Sequence, residues 1–123
     1  MRRIVLALAL ATVATPLPAA DKDRAYWSHR PANCKEYLKV YRSGERKPES
    51  DGVRGWIAGY ITAYNRQTPD TFNIMGISEF ENVLQSVERY CRDNVLSDIG
   101  AAMETVTANL YVTRHQTQRQ AGH

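Results

Sequence analysis

Apolar and polar residues recur with a helical period in four stretches of this chain, and each stretch predicts one amphipathic helix. Asn33 opens the first as a cap, with Glu36 three residues on to complete a capping box. Cys34, Tyr37, Leu38 and Tyr41 follow at i, i+3, i+4 and i+7, the spacing of one buried face, and the helix ends near Arg42. The second runs from about Asp51, an acidic residue suited to both the cap and the helix dipole, to about Arg66. Ser78 and Glu81 have capping-box spacing ahead of the third, whose apolar face is Phe80, Val83, Leu84, Val87, Tyr90 and Cys91. The fourth spans Leu96 or Ser97 to Val112, with Ile99, Met103, Val106 and Leu110 on one side. No useful length alternates with period two, so the predicted fold is all-α, a small compact bundle of about four helices over residues 33–112.

The second helix carries two adjacent stripes, since residues four apart stack on one face. Gly55, Gly59 and Ala63 form a smooth stripe, and Trp56, Tyr60 and Tyr64 a bulky one. Each glycine costs a helix about 1 kcal/mol relative to alanine, and close approach of another helix backbone is the expected offset. Trp56, Tyr60, Tyr64 and the nearby Asn65 are the candidate surface for a partner or client, because aromatic residues concentrate in binding hot spots. A helical aromatic stripe usually points inward, so Trp56 is expected to face the core, and Tyr60 and Tyr64, with their hydroxyls, are the better candidates for partly exposed positions.

The connecting segments differ in character. Residues 43–50, with Gly44 and Pro48 among charges, read as an exposed loop. Phe72, Ile74 and Met75 make the next connection too apolar for a free loop, and it is expected to fold back over the core. Residues 21–32 read as an extended lead-in from which Trp27 can pack onto the domain, and residues 113–123 as a flexible tail.

The first twenty residues change the compartment. Arg2 and Arg3 precede an apolar run from Ile4 to Ala14 and small residues up to Ala20, a secretory signal pattern with cleavage expected after Ala19 or Ala20. The run is too short for a membrane anchor, which needs about 20 apolar residues, so no membrane span is expected in the mature chain. Removing residues 1–20 lowers the 16 Lys and Arg to 14 against 13 Asp and Glu. A nearly neutral protein without a basic stripe interleaved with aromatics gives no reason to expect nucleic acid.

In an oxidising compartment the two cysteines, Cys34 and Cys91, are expected to form one disulfide from the start of the first helix to the end of the third. The chain-entropy estimate for so long a loop is about 4 kcal/mol. Metal binding finds no companions, since zinc needs about four ligands and His29, His115 and His123 fall in irregular segments. No nucleophile with a base and no phosphate-cradling glycine loop is present, and Glu81 and Glu88, seven apart, read as solvated surface. The expectation is a binding protein rather than an enzyme, with no metal and no cofactor.

In order, the chain presents a signal peptide, Cys34-Lys35-Glu36-Tyr37-Leu38, the Gly55-Trp56-Ile57-Ala58-Gly59-Tyr60 helix, Tyr90-Cys91 and a final amphipathic helix. This arrangement, from Asn33 to Tyr111, resembles the small periplasmic HdeA/HdeB-type proteins. The resemblance implies a helical, disulfide-stapled chaperone that loosens in acid and holds unfolding client proteins. A second resemblance, to the Rap1a/Tai immunity proteins of type VI secretion, rests on Ala58-Gly59-Tyr60-Ile61 and Tyr90-Cys91. It implies an inhibitor that neutralises one toxin by binding. Those proteins carry further cysteines, which ranks this reading second. Either way the partner is a protein, and a homodimer is an assembly open to the chain.

Overall fold

Asn33 begins the folded domain as the first pattern predicts. Its side chain accepts from the Glu36 backbone N–H at 2.8 Å, and the Glu36 carboxylate accepts from the Asn33 N–H at 3.3 Å. In the computed structural model, which describes residues 23, 27, 28 and 32–122, this box opens helix α1, Cys34–Val40. A single 3-10 turn at Pro48–Ser50 leads into α2, Asp51–Gln67, followed by α3, Phe80–Asp93, and α4, Ile99–Leu110. Among the described residues these four α-helices are joined by turns, short 3-10 pieces and isolated bridges, with no strand. The expected signal peptide and most of the lead-in lie outside the described residues. Of the lead-in, Trp27 is 83 % exposed rather than packed onto the domain.

The disulfide forms as expected, joining Cys34 and Cys91, 57 positions apart, with their Cα atoms at 4.8 Å. It is one strand of a denser knot. The Cys34 N–H donates to the Ser97 carbonyl at 2.8 Å, and the Ile99 N–H donates to the Ala32 carbonyl at 3.1 Å. The start of α1, the end of α3 and the start of α4 therefore meet at one corner. This pairing holds Asp98 extended, so α4 starts at Ile99, two or three residues later than the apolar pattern suggests. Asp98 caps it by accepting from the Ala101 N–H at 3.0 Å, and Leu96 is left in the turn, 99 % exposed.

From that corner α3 runs between α1 and α4 and packs closely on both. Tyr37, Tyr41, Val83, Leu84, Val87, Ile99, Met103 and Val106 fill the space between them, all buried. Ile57 and Ile61 enter the same core from α2, and Ile74 enters from the connection that was expected to fold back. Phe72 in that connection stays at the surface. The Ser78–Glu81 capping box does not form: Glu79 is the N-cap of α3 without a side-chain bond. Glu81 is drawn instead to Tyr41 and Arg54, partners contributed by two other elements.

The C-terminal residues, expected to be a flexible tail, are docked. The His115 carbonyl accepts from the Phe72 and Asn73 N–H groups at 2.9 and 3.0 Å, and the His115 N–H donates to the Asn73 carbonyl at 2.9 Å. Arg114 lies 3.7 Å over the Tyr111 ring and donates from Nε to the Asp70 carbonyl and to Thr71 Oγ1. Backbone pairing and one arginine fork hold a segment whose polar composition suggested solvent. The approach is close enough to require glycine at position 76, where φ is +58° and a Cβ would run into the Thr113 carbonyl. Gly76→Ala should therefore lower stability by about 2 kcal/mol or more, from strain and lost docking together. Chemical denaturation measures this, and an unchanged midpoint would contradict the docked tail.

Candidate functional site

Two features of α2 reverse an expectation. Gly55, Gly59 and Ala63 all lie on the exposed side of the helix, and a Cβ added at Gly55 or Gly59 meets nothing within 4 Å. Among the described residues no helix packs there. The backbone of α2 stays farther from the other α-helices than α1 and α4 stay from α3. On its inner side Ile57 and Ile61 enter the core, and Trp56, Tyr60 and Tyr64 flank them, half-buried and packed against it. Their rings form a ladder with centroids 5.6 and 6.4 Å apart. The aromatic stripe is therefore a shared boundary, neither wholly core nor wholly surface.

Trp56 also borders a groove of about 320 Å³ between the end of α1 and the start of α2. Val40, Val53, Trp56 and Ile99 give it apolar walls, Glu36 and Glu49 add carboxylates, and Gly52 contributes no side chain. Asn65, expected in the same patch, is occupied elsewhere: its Oδ1 accepts from the Ile74 N–H at 2.8 Å and ties the returning connection to the end of α2. Of the predicted binding residues, Trp56 reaches the groove and Tyr60 and Tyr64 continue its ridge. Asn65 holds the fold together.

The charged centre of the molecule lies where the sequence suggested only solvated surface. Glu81 accepts from the Tyr41 hydroxyl at 2.7 Å and from Arg54 Nη1 at 3.2 Å, and the Arg54 guanidinium sits 5.6 Å from the Phe80 ring centre. One carboxylate thus joins α2, α3 and the end of α1. Glu88 is 6 % exposed and paired with Arg92. The signal was present: Leu84, Glu88 and Cys91 stand at i, i+4 and i+7, so Glu88 shares the buried stripe. Tyr37 donates to the Leu84 carbonyl at 2.8 Å and stacks on Tyr41 with ring centres 5.1 Å apart. Burial pushes both phenols well above the ordinary tyrosine value, helped at Tyr37 by charge repulsion from a Tyr41 phenolate and at Tyr41 by its bond to Glu81. Nothing in this arrangement pairs a nucleophile with a base. Its chemistry is that of an interhelical clamp.

Two outcomes follow. Raised phenol pKa values mean that the folded protein holds protons which the unfolded chain gives up at about pH 10. Their stabilisation is complete below that pH and is lost as pH rises above it. The melting temperature should fall from about pH 10 upward, with the Tyr37 and Tyr41 phenolates appearing in absorbance only as the fold opens. A flat melting temperature to about pH 12 would contradict the clamp. On the open face, Gly55→Ala and Gly59→Ala should each raise stability by about 0.5–1 kcal/mol, because the added methyl meets nothing and alanine favours the helix. Loss of stability in thermal melts would mean that something covers this face.

No protein-family model, curated protein or solved structure matches this chain.

Proposed function

We propose that this is an exported, disulfide-bonded binding protein of the periplasm that opens in acid and holds unfolding proteins. The observation that supports it is the dependence of the interhelical clamp on a carboxylate: Glu81 is the common acceptor for Tyr41 and Arg54. A protonated Glu81 leaves the Arg54 cation, 19 % exposed, without its counter-charge between α2 and α3. Glu88 and Arg92 lose their attraction in the same way. Complete protonation would leave the chain without its signal peptide at about +17, from its Lys, Arg and His residues, and self-repulsion favours opening. Release of α2 exposes Ile57, Ile61 and the inner side of the aromatic ladder. The Cys34–Cys91 bond does not titrate and limits how far the opened chain expands. The resemblance to HdeA/HdeB-type proteins points the same way.

The test is an acid titration of the disulfide-bonded protein from about pH 7 to pH 2, following apolar-dye fluorescence and protection of a client from aggregation. Dye binding and protection should appear together near the carboxylate range, about pH 4, and reverse on neutralisation. A chain that stays closed and protects nothing overturns this reading. In that case one tight partner at neutral pH would favour the alternative, an immunity or inhibitor protein that captures a specific toxin.

A further inference from the structure

We propose that the groove between α1 and α2 is a docking site, open in the closed protein at neutral pH, for a basic apolar segment of another protein. The segment places a bulky aliphatic side chain against Val40, Val53 and Trp56 and an adjacent Lys or Arg against Glu36 and Glu49. This site acts apart from the acid opening, because it needs the helices packed and the carboxylates charged.

Three observations carry it. The first is size and lining: about 320 Å³ with mainly apolar walls is at the lower end of the range that binds a ligand group. Gly52 leaves the groove unobstructed, since a Cβ there meets nothing within 4 Å. The second is charge. The cations closest in the chain to Glu49 are engaged elsewhere: Arg46 with Asp51, Lys47 with Glu45 and Arg54 with Glu81. Glu49 takes part in no ion pair among the described residues. Glu36 commits Oε2 to the α1 cap. Two carboxylates beside an apolar trough complement a cation carried on a greasy neighbour, and the Trp56 ring adds a face for an ammonium or guanidinium. An acidic segment of the same shape is repelled.

The third observation is that the exposed apolar residues of the folded domain do not match the groove in charge. The exposed Val95 and Leu96 lie between Asp93 and Asp98, and the exposed Ile77 is followed by Glu79 and Glu81, so these apolar knobs carry the wrong charge. Val112 is exposed close to a cation, but Arg114 is held by Asp70, Thr71 and the Tyr111 ring. None of these four residues supplies the complementary segment, which we assign to a different polypeptide; self-association of this chain in solution through the groove would overturn that assignment.

Trp27→Phe leaves Trp56 as the single tryptophan and the reporter. The probe is a soluble hexapeptide with two leucine-lysine pairs, titrated at neutral pH and low salt. The expected result is a saturable change in Trp56 fluorescence that a leucine-glutamate peptide does not produce. Gly52→Phe should fill the groove and weaken binding about tenfold with the melting temperature held, and Glu49→Gln, an exposed change that spares the fold, about threefold. No saturable change, or binding that neither substitution weakens, overturns the proposal. So does octyltrimethylammonium binding as tightly as the peptide, which would make the groove a site for a small amphiphilic cation.

Discussion

The corner where Cys34 meets Cys91 is the constraint on which the other elements depend. Three helix ends converge there, and the covalent bond is seconded by the short backbone pairing of residues 32–34 with residues 97–99. A helix of seven residues such as α1 is too short to persist alone in water. Bonded to α3 and paired with the start of α4, it becomes a rigid arm that carries Tyr37 and Tyr41 into the core. The loop closed by the bond contains all of α2 and most of α3, so the denatured chain is restricted over the region that forms most of the fold.

Within that loop α2 is attached on different terms. The helices α1, α3 and α4 pack backbone close to backbone around Tyr37, Tyr41, Val83, Leu84, Val87 and Met103, whereas α2 sends Ile57 and Ile61 into the core and rests Trp56, Tyr60 and Tyr64 half-buried against it. Polar fastenings supplement the aromatic contact at each end: the Arg54–Glu81–Tyr41 clamp near its start and the Asn65–Ile74 bond near its finish. Aromatic contact at half burial stabilises less per residue than a closed aliphatic core, and the clamp requires a charged carboxylate. The molecule thus combines a covalently anchored three-helix unit with a longer helix held by two buried isoleucines, half-buried rings and polar bonds near both ends. On the proposed function, that division would let one small chain present a groove when closed and apolar surface when opened.

Much of this architecture was legible in the chain. Helical period, the Asn33–Glu36 box, the break after Arg66 and the cysteine count set the fold class, the elements and the bond, because each depends on residues close in sequence or on a single possible pairing. Boundaries failed where a distant partner intervened. Ser97 and Asp98 were recruited by residues 32–34, and Glu81 left its expected cap for Tyr41 and Arg54. The tail misled for a related reason: its polar residues satisfy the backbone of the 70–76 connection, and sequence alone does not say which polar groups will find each other.

The candidate site divides along the same line. Sequence by itself determined that Trp56, Tyr60 and Tyr64 form one stripe and Gly55, Gly59 and Ala63 the neighbouring one, since both follow from the pitch of a helix. Which stripe turns inward was decided only in the tertiary structure. Burying large rings removes far more apolar area from water than burying glycines, so the aromatics took the core side and the smooth face was left to solvent. The groove beside Trp56 and the carboxylate clamp were likewise invisible along the chain. Each is assembled from residues of at least three elements, and only packing brings those elements to one place.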